Sequence, residues 1–110
     1  MNCSIVIPTW NRSELVEALL ESLYVERERY QQGETEVFIV DSSSGNEQDR
    51  IKTACMKFNA TYIEGDDSVR KKRNKGIKLS TYDYILFIDS DVTVEKGLLD
   101  EYVEAYKNPY

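Results

Sequence analysis

The stretch E-V-F-I-V-D, residues 36–41, decides the fold. Four apolar residues follow one another without polar alternation and run straight into a carboxylate. An uninterrupted apolar run of strand length describes a strand covered on both faces, the habit of parallel sheets. The same pattern occurs at C-S-I-V-I-P-T, residues 3–9, a short buried strand closed by Pro8. It occurs again at Y-I-L-F-I-D-S-D-V, residues 84–92, whose strand covers Tyr84 to Ile88 and ends in two aspartates separated by one serine. T-Y-I-E, residues 61–64, is a shorter run of the same kind.

Helical spacing fills the intervals. Ser13 reads as the N-cap of a first helix with Glu14 in its first turn, and the polar stretch E-R-E-R-Y-Q-Q-G ends it at Gly33. Leu15, Leu19 and Leu23, with Val16 and Leu20 beside them, form its apolar stripe. A second helix is expected near residues 46–59, with Ile51, Ala54, Cys55 and Phe58 on one face. G-D-D-S caps a third, basic helix, V-R-K-K-R-N-K-G-I-K-L, and a fourth covers about residues 96–107. The order β-α-β-α-β-α-β-α, with right-handed crossovers, predicts an α/β, Rossmann-like, doubly wound and mainly parallel sheet with helices on both faces.

Composition narrows the chemistry. A chain of 110 residues is one domain and buries roughly two-thirds of its unfolded surface. Its net charge of −6 argues against a nucleic-acid partner, and no apolar run approaches the length of a transmembrane segment. The N-terminus has no basic region ahead of its apolar run, so no signal peptide is expected there. Two distant cysteines, Cys3 and Cys55, predict buried, reduced thiols and a cytoplasmic setting. The chain has no histidine. Ser-His-Asp and Cys-His schemes are thereby excluded, and any metal must take oxygen ligands, which favours magnesium, manganese or calcium.

In doubly wound sheets, ligands bind beyond the carboxyl ends of the strands. Thr9, Asp41 and Asp89 fall on that rim as the last residues of strands one, two and four. Asp41 by itself reads equally well as an Asx-turn. Asp89 and Asp91 together repel unless they are solvated or bridged, and a hard cation removes that cost. The basic helix holds six of the chain's fourteen Lys and Arg residues within nine positions. Most are expected to be solvated, with Arg70, Arg73, Asn74 and Ile77 near one side. An arginine turned toward the rim would grip a diphosphate. Gly76, inside a helix, asks for a packing or ligand reason. Neither G-x-x-x-x-G-K-[ST] nor G-x-G-x-x-G is present, so the phosphates would be handled by the cation.

Four blocks, in order, resemble the family-2 glycosyltransferases of the GT-A fold: S-I-V-I-P-T-W-N-R, V-F-I-V-D-S-S-S-G, R-K-K-R-N-K-G and Y-I-L-F-I-D-S-D-V. The resemblance spans almost the whole chain. It implies transfer of a sugar from a UDP-, dTDP- or GDP-linked donor to an acceptor, usually with inversion, with Mg²⁺ or Mn²⁺ as cofactor. Pro8, Thr9, Asn11, Asp41, Arg73 and Asp89 would bind the nucleotide. Within that set, Thr9 and Asp41 would line the base pocket, and Asp41 would accept from an imide N–H. Arg73 would lie near the base and phosphates and Asp89 near the ribose, with Asp91, assisted by Asp89, holding the metal. Two positions depart from the pattern: Ser42 stands where a second acidic residue is frequent, and Lys72 where a small residue often precedes the arginine. The resemblance places the acceptor pocket and the general base in a later half, so residues 1–110 are expected to be the nucleotide-sugar-binding part alone.

Other classes fit less of the sequence. A non-catalytic nucleotide or nucleotide-sugar binding module, forming a homodimer through an open sheet edge, uses the same rim. Nucleotidyl transfer lacks its Gly-rich basic loop after strand one. A receiver-like phospho-acceptor lacks an aspartate at the end of strand three, where Glu64 stands.

Overall fold

In a computed structural model describing residues 1–108, the long apolar runs pair at the centre of one sheet. The elements are β1 (Cys3–Thr9), α1 (Ser13–Arg29), β2 (Thr35–Asp41), α2 (Gly45–Lys57), β3 (Thr61–Glu64), α3 (Val69–Leu79), β4 (Tyr84–Phe87) and α4 (Leu98–Lys107). The sheet order is β3-β2-β1-β4, and every pairing is parallel. β1 and β2 are in step from Cys3 opposite Thr35 to Thr9 opposite Asp41, so their carboxyl ends finish level. The expected α/β, doubly wound architecture is the one observed.

Alternation of side chains along the strands sorts the core into two layers. Ile5, Ile7, Val37 and Ile39 face α1, α2 and α4, where Leu19, Leu20, Leu23, Ile51, Leu99 and Val103 complete the larger cluster. Val6, Phe38 and Val40 face the other way, with Ile63 and Ile85 beside them. That face belongs to α3, which lies close against the sheet: a Cβ on Gly76 would come 2.4 Å from Val6 Cγ1. Close packing is therefore the reason for a glycine inside this helix.

Several expectations are corrected. Ser13 is the first residue of α1 and not its cap; Arg12 holds the cap position without a side-chain bond. The Glu47 carboxylate, from the first turn of α2, accepts from the Ser13 N–H at 2.8 Å instead. Leu15 is exposed, and the inner stripe of α1 is Val16, Leu19, Leu20 and Leu23, continued by the buried carboxylate of Glu26. The helix stops at Arg29, where Tyr30 turns extended and its hydroxyl donates to the Met1 carbonyl at 2.6 Å. α2 ends at Lys57, just before Asn59, whose φ of 54° leaves the helical region. Gly97, with φ 94°, delays the start of α4 to Leu98.

β4 is an edge strand and only partly buried. It ends at Phe87, one residue earlier than expected. The Ile88 N–H still donates to the Val6 carbonyl at 3.2 Å, and then the chain turns, with Val92 N–H donating to the Asp89 carbonyl at 3.2 Å. Asp89 thus sits in the turn after the strand, not on its last residue. Both cysteines are free and buried. The Cys55 thiol is pushed up to about 12 by burial and by the charge of Asp41, so it stays protonated and unreactive. Among the described residues no helix is long and apolar enough to cross a membrane.

Candidate nucleotide site

β1 runs on to β2 and β3 on one side, whereas β4 returns to the other side of β1. The connections therefore diverge at the carboxyl ends of β1 and β4, the place where an open α/β sheet leaves a crevice. A cleft of about 370 Å³ lies there. Pro8, Thr9 and Trp10 supply one wall, Asp67, Val69 and Lys72 a second, and Asp89, Ser90 and Asp91 a third. A larger groove of about 550 Å³ runs between α1 and α2. It is lined by Glu14, Glu17, Glu21 and Asp49, with Arg50 and Lys57, and those acidic walls suit no anionic ligand.

Under the cleft lies a buried polar cluster centred on Asp41, which has no exposed surface. Its Oδ1 accepts from Thr9 Oγ1 and from Ser43 Oγ, each at 2.6 Å, and its Oδ2 accepts from the Tyr62 hydroxyl at 2.7 Å. The Asn11 N–H donates to Ser43 Oγ at 2.7 Å, which ties the turn after β1 to the same cluster. Burial, followed by the bond to Asp41, pushes the Tyr62 phenol upward and keeps its proton available for donation. Asp41 is therefore more than a turn residue: it draws β1, β3 and the loop after β2 together.

Lys72 completes the cluster. Only 2% of it is exposed, and its Nζ donates to the Thr9 carbonyl at 2.8 Å. Burial holds its pKa below the usual lysine value, while the charges of Asp41, Asp67 and Asp66 work in the opposite direction. Most of the basic side chains of α3 are exposed, as expected, and Lys72 is the covered exception. Lys72 and Gly76 are the two buried positions of α3, four residues apart, and so share the face turned to the sheet. Arg70, Asn74 and Ile77 are exposed. Arg73 is partly buried at the edge of that face. Its Nη2 lies 3.7 Å from Asp89 Oδ1, its guanidinium 5.5 Å from the centre of the Phe87 ring, and its Nε is buried without a partner among the described residues.

Pro8, Thr9, Asp89 and Asp91 thus line one cleft, Asp41 lies beneath it, and Arg73 stands beside Asp89 without lining it. Asn11 reaches the cluster through its backbone alone, with φ 49°. Ser42 Oγ is buried and has no partner among the described residues. Sequence reasoning missed Lys72, Tyr62 and Ser43. For Lys72 the signal was present: it stands one turn before Gly76, and its face follows from that spacing.

Asp89 and Asp91 are exposed at the mouth of the cleft. Among the described residues no group of three or more His, Cys, Asp or Glu side chains forms a metal cage. Two carboxylates fit a hard divalent ion whose other ligands come from phosphate and water, the manner in which magnesium is commonly held.

The sequence model for Glycosyl transferase family 2 matches residues 4–110. The chain belongs to this family. It is 31% identical over 104 residues to the amylovoran biosynthesis glycosyltransferase AmsB of Erwinia amylovora, a match covering 89% of this chain and 33% of that protein. Among solved structures, TarS 1–349 of S. aureus in complex with UDP-GlcNAc aligns with a TM-score of 0.75 at 25% identity, covering 97% of this chain and 31% of that one. The mannosyltransferase PcManGT of Pyrobaculum calidifontis, in complex with GDP-Man and Mn2+, aligns with a TM-score of 0.78 at 19% identity, covering 97% of this chain and 32% of that one. The fold of this family-2 chain is of the GT-A type. The chain spans about a third of the length of these relatives.

Proposed function

We propose that this family-2 chain is the nucleotide-sugar-binding part of a metal-dependent glycosyltransferase. The observation that carries the reading is the cleft where β1 and β4 diverge, which gathers Thr9, Asp89 and Asp91 over the Asp41 cluster. A UDP-, dTDP- or GDP-linked sugar fits such a site. Its base would lie toward Thr9 and Asp41, its ribose near Asp89 and its diphosphate toward Asp91 and Arg73. TarS and PcManGT support this, since their structures hold UDP-GlcNAc and GDP-Man with Mn2+ respectively.

Asp91 and Asp89 would hold Mg²⁺ or Mn²⁺, and the bound ion would neutralise charge developing on the leaving diphosphate. The protein's own contribution is to fix the donor. The level ends of β1 and β2 hold the base side, and the turn after β4 presents two carboxylates to the other end. Inverting transfer also needs a general base and an acceptor pocket, and in this reading Asp89 and Asp91 are taken up by the ribose and the ion. We place both outside residues 1–110, which accords with a chain spanning a third of its relatives. The free, buried cysteines accord with a cytoplasmic setting, where thiols remain reduced.

Thermal unfolding with UDP or GDP, with and without Mn²⁺, tests the reading. The expected outcome is a midpoint raised by nucleotide and metal together. No shift with either nucleotide at saturating Mn²⁺ overturns it. The 110-residue chain by itself is expected to show little sugar transfer in a donor-consumption assay.

A further inference from the structure

We propose that Lys72 reads the base of the bound nucleotide, donating from Nζ to a ring carbonyl oxygen and so selecting uracil, thymine or guanine over adenine. The proposal rests on the nucleotide-sugar reading of the cleft.

Lys72 is an uncommon residue to find fully covered, because a buried ammonium costs free energy unless its charge and its protons are matched. Here the stem is fixed by close packing, since a Cβ on Gly65 would come 3.0 Å from Lys72 Cγ. The head is fixed by the Thr9 carbonyl at 2.8 Å. An ammonium carries three donors. Among the described residues only one of them has a protein partner, and the side chain forms part of the cleft wall. A fixed cation in the wall of a cleft, with donors that the chain leaves unused, is an arrangement for ligand recognition.

Charge decides which part of the ligand it meets. The carboxylates of Asp41, Asp67 and Asp66 favour the charge of Lys72, although burial outweighs them. A phosphate brought to it would also approach those three carboxylates, which repel it. A neutral carbonyl oxygen accepts the same hydrogen bond without adding charge. Asp41 itself only accepts, with about one lone-pair site left beside three hydroxyls, so it can meet a ring N–H but not a ring carbonyl. The donor side of the pocket therefore falls to Lys72. The diphosphate is provided for elsewhere, at Asp89, Asp91 and Arg73. Uracil, thymine and guanine carry a carbonyl oxygen where adenine carries an amino group, and an amino group would set donor against donor.

Calorimetric titration of the chain with UDP, GDP and ADP in excess Mn²⁺ tests this. The wild-type protein should bind UDP or GDP about ten-fold more tightly than ADP, the scale of one hydrogen bond to a charged group. Lys72→Met keeps the stem that packs on Gly65 and should remove that preference, weakening UDP or GDP while leaving ADP unchanged. Equal weakening of all three nucleotides, or no change in any, overturns the proposal. Wild-type protein that binds none of the three overturns the reading of the cleft itself, and the role of Lys72 with it. Thio analogues of UDP and GDP, with a ring carbonyl oxygen replaced by sulfur, decide the matter without a substitution if Lys72→Met does not fold. At least one should bind wild-type protein about ten-fold more weakly than its parent; equal binding of every analogue overturns the proposal.

Discussion

Two buried carboxylates, Glu26 and Asp41, lie in different parts of this molecule and are satisfied in different ways. Glu26 is on the inner face of α1, 2% exposed. Its Oε1 accepts from Arg29 Nε at 2.8 Å and Gly97 N–H at 3.1 Å, and its Oε2 from Leu99 N–H at 2.8 Å and Arg29 Nη2 at 3.3 Å. Arg29 also pairs with Asp100, so one acid ties the end of α1 to the start of α4. Four donors meet about four lone-pair sites, and nothing is left over. Around Asp41 three hydroxyls donate to the carboxylate, but the adjacent Ser42 Oγ has no partner among the described residues, and the Lys72 ammonium, with three donors, meets one acceptor. The lesson is that a buried charge satisfied completely by the chain belongs to the scaffold. One whose neighbours keep unused donors beside a cleft marks a candidate binding site.

Breaking the Glu26 cluster should have the largest effect. Glu26→Ala leaves Arg29 without its inner partner and α4 without an acceptor at its first turn, and should cost about 3 kcal/mol in urea unfolding. Nucleotide affinity of the folded protein should be unchanged. On the Asp41 side, Tyr62→Phe removes one donor from a buried charge and should cost about 1.5–2 kcal/mol, measured in the same way. It should weaken nucleotide binding as well, because it loosens the floor of the cleft. Asp91→Asn should alter the stability of the ligand-free chain by less than about 0.5 kcal/mol, as expected of an exposed side chain. Its effect should appear only as loss of the Mn²⁺-dependent part of the thermal shift.

Acid sharpens the same contrast. Burial tends to raise the pKa of Glu26, but the Arg29 and backbone hydrogen bonds prevail and hold it below its ordinary 4.5. A carboxylate lowered on folding stabilises the protein above its unfolded pKa, and that contribution disappears as the pH falls through the folded value. Unfolding free energy should therefore decline below about pH 4.5, and Glu26→Gln should flatten that decline. A decline identical in the two proteins would show that Glu26 is not its source.

Much of this was legible in the sequence for a local reason. Continuous apolar runs mark β1 and β2, and the charges at their ends mark the rim. Thr9 and Asp41, on separate strands, finish level because both strands have seven residues and pair in register. Asp89 and Asp91 were visible as a pair because two like charges so close in the chain ask for an explanation. The α1 contact with α4 was not legible. Glu26 reads as one more charge in a polar stretch, and its partners Gly97 and Leu99 come some seventy residues later. Leu15 misled for the complementary reason: helical spacing admits it to the stripe, but no neighbour covers that edge of α1.

The sequence by itself determined that this chain is a parallel α/β sheet with a pair of aspartates on its rim. Those features follow from residue type and spacing along one strand or helix. Only the tertiary structure decided which charges are buried. Lys72 and Lys71 look alike in the chain, yet Lys72 is covered and Lys71 pairs with Asp66 in solvent. The difference is the direction in which α3 faces β1, fixed by the close approach at Gly76. Burial depends on what other segments bring to a residue, and no short stretch of chain carries that information.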